Sequence, residues 1–400
     1  MNFDTPIDRT GSGALKWDRL AHVEGKPDII PLWVADMDFA SPPQVTEALR
    51  KRCGHPVFGY TDANPSYFEA LRNWYATRYG VTAETADFIL GPGAVPSLGI
   101  AVRSLSAPGD GVVVLSPVYY PFYEMIRNNG RLVVDVPLHP DGSGRFVLDL
   151  AALERSILET RKQGIRVPLL LLCSPHNPGG TVWRRPELEA LLALASRLDL
   201  TIVSDELHGD FVYEPSRFLS LADFQDHTGR VVVISAPNKT FNLAGLHLSH
   251  FLVRDKLLRG KIGQGLSAMG YGNPNVLSLT AAEAAYTHSG PWLDELKDYL
   301  ADNINFTLSF VAGNVPGVEP YKPEGTYLVW ADAAGLIRGR ELKDDRELVA
   351  LLETEGRVKF TPGSFFGEGG KGFIRINIAS PRSQLDVGLK RLADWAASRA

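Results

Sequence analysis

The sequence is poor in cysteine: two, Cys53 and Cys173, in 400 residues. Two thiols so far apart in unrelated contexts cannot build a disulfide framework, and they suit a reducing cytoplasm. Together with nine scattered histidines they also lack any zinc-binding spacing. Long apolar runs are missing. The longest, residues 167–173, is far too short to span a bilayer. The first ten residues, MNFDTPIDRT, have no basic stretch followed by an apolar core, so no signal peptide is expected. Runs of like charge are absent and the net charge is −5, which argues against nucleic acid or an anionic membrane as the main partner. No internal repeat and no low-complexity segment is visible. What remains is an ordinary globular composition, 44% apolar and 22% charged, with length enough for a large domain and a smaller one.

The chain then alternates. Residues 111–115, 131–136, 167–173, 200–204 and 231–234 are β-branched or leucine-rich and read as buried strands. Residues 67–79, 148–161 and 186–198 carry apolar residues at helical spacing. This order predicts a mostly parallel sheet with helices on both faces. Residues 250–255 read as one more strand, antiparallel to the rest. After Lys256 the texture changes. Long helical segments over 274–311, strands at 327–331 and 373–377, and helices at 346–355 and 385–400 make a smaller α+β unit. The expected division is an N-terminal arm at 1–45 contributing to the small domain, a large domain at 46–285 and a small C-terminal domain at 286–400. Ser41 is expected to cap a helix whose first turn holds Pro42 and Pro43.

In open α/β sheets, ligands bind at the carboxyl ends of the strands. Four of those ends carry polar residues. Lys239 follows the 231–234 strand, where partial desolvation lowers a lysine's proton affinity and frees the amine to attack a carbonyl. Such an amine forms Schiff bases, as with pyridoxal phosphate. Asp205 follows the 200–204 strand and can pair with a pyridine nitrogen. Asn177 follows the 167–173 strand and can donate to a phenolate oxygen. Tyr119, in the loop after 111–115, can stack on a ring. Gly93, Ala94 and Val95 open a helix, and their amides offer an anion seat. Singly, each has a plain reading: a cap, a turn residue, a packed aromatic, an ordinary strand-to-helix turn. Together they fit one cofactor.

The segments PLWVADMDF (31–39), FGYTD (58–62), SPVYYPFY (116–123), CSPHNPGG (173–180), SDELHGDF (204–211), NKTFNLAGL (238–246) and RINIASPR (375–382) resemble the fold-type-I pyridoxal-phosphate enzymes, the aminotransferase class I/II superfamily. Within it, WVADMDF and DELH are similar to the MalY/PatB family of cystathionine β-lyases, or C–S lyases. The resemblance covers essentially the whole chain, and it implies a set of roles. Lys239 carries the cofactor and then takes the substrate's α-proton. Asp205 pairs with the pyridine nitrogen, Asn177 and His208 lie by the phenolate oxygen, and Tyr119 stacks on the ring. Gly93, Ala94, Val95 and Ser235 hold the phosphate. Arg375 clamps the substrate carboxylate through a planar fork. Trp33, Ala35, Tyr119 and Asn177 line the substrate pocket. Tyr60 reaches across from the second subunit of a homodimer, whose active sites lie at the interface. Two positions depart from the superfamily: His208 stands where aminotransferases usually place a tyrosine, and His247 where many place a phosphate-binding arginine. The implied reaction is α,β-elimination from cystathionine or another S-substituted cysteine, giving pyruvate, ammonia and a thiol. The alternatives are an amino-acid aminotransferase on the same scaffold and a binding protein without turnover. Intact Lys239, Asp205, Asn177 and Arg375 speak against the latter.

Overall fold

A computed structural model describes residues 1–20 and 28–398. Its main sheet has seven strands: β1 (Phe88–Gly91), β2 (Gly111–Ser116), β3 (Leu132–Pro137), β4 (Leu169–Cys173), β5 (Thr201–Asp205), β6 (Val231–Ser235) and β7 (Ser249–Leu252). They lie in the order β1-β7-β6-β5-β4-β2-β3. The neighbours from β6 through β3 are all parallel. β7 runs antiparallel to both β6 and β1, as the sequence suggests. Every residue of β2, β4 and β6 is buried. Parallel strands are covered on both faces, which is why they read as unbroken apolar runs rather than alternating ones. Val231 and Val233 enter one apolar layer and Val232 and Ile234 the other.

A smaller antiparallel sheet contains β8 (Glu319–Tyr321), β9 (Leu328–Asp332), β10 (Thr361–Pro362) and β11 (Phe373–Asn377), in the order β8-β9-β11-β10. The 25-residue helix Gly290–Asn314 leads into it. Near the N-terminus Ile30–Pro31 pairs in parallel with Val358–Lys359, so the arm joins the chain's last quarter. Among the described residues no helix is long and apolar enough to cross a membrane.

Three local expectations need correction. The first long helix, Pro43–Cys53, has Pro42 at its N-cap and no side-chain cap; Ser41 instead donates its hydroxyl to the Asn242 carbonyl at 3.2 Å. The helix expected over 67–79 is an α-helix only over Pro65–Trp74, and Tyr75–Tyr79 widens into a π-turn closed by Gly80 in the left-handed region. The last helix is Arg382–Ala397, and residues 399–400 lie outside the described residues. Elsewhere the boundaries move by up to three residues, as where the strand expected over 250–255 is Ser249–Leu252, and Asp149 caps Leu150–Lys162 by accepting from the Ala152 amide.

Candidate active site

The parallel strands β2, β4, β5 and β6 deliver their following residues to one edge of the sheet. After β6, Pro237 starts a four-residue helix, Pro237–Thr240, its fixed φ suiting a first helical position. Thr240 donates its hydroxyl to Asp210 at 2.6 Å, and the Trp74 indole donates to the same buried carboxylate at 3.2 Å. This pins the short helix and with it Lys239. The Lys239 amine donates to the Ala35 carbonyl at 2.5 Å. Burial lowers its pKa to about 8; Asp36 pulls it upward, Arg375 pushes it down and Asp205 pulls it up. An amine in that range has an appreciable free-base fraction near neutral pH.

Asp205 ends β5. Burial raises its pKa to about 6, against the Leu207 amide at 3.2 Å and the charge of Lys239. Asn177 lies buried in the turn after β4, its amide donating to Cys173 Sγ at 3.3 Å. Its Oδ1 accepts from Arg375 at 3.0 Å, joining the large sheet to the small one. Arg375, in the middle of β11, also donates to the Trp33 carbonyl at 2.9 Å and lies 4.8 Å over the Phe366 ring. Among the described residues its Nε has no acceptor, and none of its hydrogen-bond partners is charged. Burial lowers its pKa to about 10. A buried guanidinium without a counter-charge is a seat for a carboxylate.

His208 is buried, its ring edge-on to Tyr327 at 5.6 Å and its Nδ1 without a partner. Burial, then the charges of Lys239 and Arg375, hold it neutral. Tyr119 is half-buried in the loop after β2, where burial pushes its hydroxyl up and Arg375 and Asp205 are felt. The Trp33 carbonyl faces Arg375, while its ring lies under Lys359 at 4.8 Å.

At the start of the helix Ala94–Leu105, Gly93 has φ +112, a conformation that favours glycine. The Gly93 amide is already committed to Ser249 Oγ at 3.2 Å. The amides of Ala94 and Val95 have no acceptor among the described residues. His247 lies beside them, its Nδ1 3.7 Å from where a Gly93 Cβ would stand. Ser235 is buried at the end of β6, next to the Tyr75 hydroxyl. Tyr60 is wholly exposed, apart from the other site residues of its own chain.

Sequence reasoning missed the lock that holds the arm here. Buried Asp38 accepts from Arg9 at 2.7 Å, Lys16 at 2.7 Å, Trp17 at 2.9 Å and Gln384 at 3.0 Å. Asn377 donates to the carbonyls of Val34 and Asp36, and Asn242 binds Met37 and Phe39. The acid pair Asp36 and Asp38 in an otherwise apolar stretch was the available signal.

These residues fit pyridoxal phosphate. They offer an amine of lowered proton affinity, a carboxylate at a strand end, an amide and an aromatic beside it, unsatisfied helix amides for a phosphate and an uncompensated arginine for a substrate acid. The model of the class I and II aminotransferases matches residues 27–392. The chain belongs to this family. Among its members, cystathionine β-lyase PatB of Bacillus subtilis is 39% identical over 98% of this chain and 99% of its own. Protein MalY of Escherichia coli is 33% identical over 98% of both. The structure of cystalysin from Treponema denticola, which contains pyridoxal 5′-phosphate, superposes with a TM-score of 0.91 at 32% identity, covering 98% of each chain. The family's fold-type-I architecture, a large mixed sheet flanked by helices with a smaller sheet domain, is the one described above.

Proposed function

We propose that this chain is a pyridoxal-phosphate-dependent C–S lyase, which converts cystathionine or a related S-substituted cysteine and water into pyruvate, ammonia and a thiol. The observation that carries the reading is the convergence of Lys239, Asp205, Asn177 and Arg375 at one sheet edge. The likeness to PatB and MalY supports elimination over transamination.

When bound, pyridoxal phosphate supplies an electron sink for the pair left on the substrate's α-carbon. Asp205 would keep the ring nitrogen protonated, and Asn177 and His208 would serve the phenolate oxygen. Ala94 and Val95, with Gly93 shaping the turn, would hold the phosphate, with Ser235 and His247 nearby. Tyr119 would stack on the ring. Arg375 takes the α-carboxylate in two parallel hydrogen bonds and, with Trp33 and Ala35, orients the α-carbon toward Lys239. The Lys239 amine accepts the α-proton and returns it to the sulfur as the C–S bond breaks.

Residues 1–45 are assigned to an arm that completes the small domain, 46–285 to the cofactor-binding domain and 286–400 to the small domain. The free thiols favour a cytoplasmic setting. The exposed Val57, Phe58 and Tyr60 form an apolar stretch suited to a second copy of the chain, with Tyr60 serving the partner's site. Mixing a Tyr60→Phe chain with a Lys239→Ala chain should then yield hybrids with one undamaged site, and activity above both parents. Cystathionine as sole substrate tests the reaction. Pyruvate, ammonia and thiol should accumulate together without added keto acid. Turnover that stops after one equivalent and resumes with a keto acid would instead reveal a transaminase.

A further inference from the structure

We propose that Asp36 is a positioning residue that sets the proton affinity of the Lys239 amine, acting from the arm beside the carbonyl that holds that amine. The inference rests on Lys239 being the reactive amine. Among the described residues, the ionisable groups around Lys239 include Asp36 from the arm, Asp205 at the end of β5, His208 from the loop after it, and Arg375 from β11. The Tyr327 hydroxyl shares the Ala35 carbonyl with it at 3.0 Å. Arg375 repels an ammonium. His208 is neutral. Asp205 would be matched by the protonated ring nitrogen with the cofactor in place, and in the cofactor-free chain it acts equally in every variant compared below. Asp36 is the other carboxylate that favours the ammonium form.

Its own surroundings leave it able to do so. Arg9 takes Oδ2 at 2.8 Å, but Oδ1 is buried with no hydrogen-bond partner among the described residues. Lys16 stands 3.9 Å from Oδ1 and turns instead to Asp38 at 2.7 Å. Asp38 alone already receives Arg9, Lys16, Trp17 and Gln384, so the arm is locked without Asp36 Oδ1. The Asp36 carbonyl is fixed by Asn377 at 2.8 Å and Lys16 at 3.3 Å, which holds the backbone of the residue beside Ala35. Because Oδ1 is buried, its charge is screened less toward Lys239 than that of an exposed carboxylate would be. The base is thereby poised: desolvated enough to begin as a free amine, yet able to retain the α-proton it takes.

The test uses the full-length chain treated with hydroxylamine, which releases the cofactor from Lys239 as its oxime, and then dialysed. Lys239 is reductively methylated with formaldehyde and cyanoborohydride across a pH series, and its peptide is quantified by mass spectrometry. The midpoint reports the amine's titration whatever reaction the enzyme performs. In Asp36→Asn it should fall by about one pH unit, a tenfold loss of proton affinity, and Asp36→Glu should restore it. Arg9→Gln, a rim substitution that keeps the proposal testable if Asp36→Asn misfolds, uncovers the Asp36 charge and should move the midpoint upward. Unchanged midpoints in folded Asp36→Asn and Arg9→Gln chains would overturn the inference. A Lys239 that resists labelling at every pH while other lysines react would overturn the reading of the site itself.

Discussion

Arg375 shows how one residue can be a liability to the fold and an asset to the proposed site. Its guanidinium is buried, rests on the Phe366 ring and bonds only neutral acceptors. A charge held this way costs stability unless an anion joins it. Arg375→Met keeps the length and removes the charge. The variant should lose on the order of 2–5 kcal/mol in kcat/KM, chiefly through KM, because a buried charge-assisted contact to substrate disappears. Its thermal midpoint should stay level or rise. A midpoint that collapses along with activity would mean that Arg375 is structural.

The short helix carrying Lys239 and the arm facing it form one functional unit, and Asn242 is its hinge pin. Asn242 sits at φ +57, a left-handed conformation that asparagine tolerates better than most residues. Its side chain accepts from the Met37 amide at 3.2 Å and donates to the Met37 and Phe39 carbonyls, each at 2.9 Å. Asn242→Ala should destabilise the chain by about 1–3 kcal/mol, and limited proteolysis should begin to cut within the first forty residues. An arm as protected as in the wild type would show that Asn242 is dispensable. This unit also marks where sequence reading stops. The strands were legible because a sheet buried on both faces writes itself as runs such as VVVI at 231–234. The polar residues at their ends were legible because strand direction places them. Lys16 was not, because nothing local distinguishes a lysine that reaches a carboxylate 22 positions away from one in water. Ser41 misled for the same reason: its hydroxyl answers to Asn242, across 201 residues, rather than to the helix it precedes.

For the whole molecule, buried titrating groups pull stability in opposite directions. Burial lowers the pKa of His176 to about 4 and of His250 to about 3, from 6.5. Both contribute stability above their unfolded value, and it is lost as pH falls through the folded ones. Glu206 is the reverse. Burial raises it from 4.5 to about 7, with Ser204 and the Leu221 amide each 2.9 Å from Oε1 and with Oε2 unpartnered. Its contribution is full below 4.5 and is lost as pH rises through about 7. Glu206→Gln cannot titrate. Relative to wild type, its thermal midpoint should therefore improve on going from about pH 5 to about pH 8. A constant difference between the two proteins would show that Glu206 does not titrate in that window.

The pairing of Ile30–Pro31 with Val358–Lys359 also has a history in time. A ribosome releases the arm first and its partner strand last. At 5–20 residues per second, the interval is on the order of tens of seconds. Throughout it the large sheet can assemble while Arg375, Asn377 and Gln384 are still unmade. The nascent chain can thus own its lysine long before it owns a seat for substrate. Synthesis itself would keep the proposed site inert until the chain is nearly finished, and a transcript truncated after the large sheet is complete at Leu252 but before residue 375 should encode a chain with no turnover.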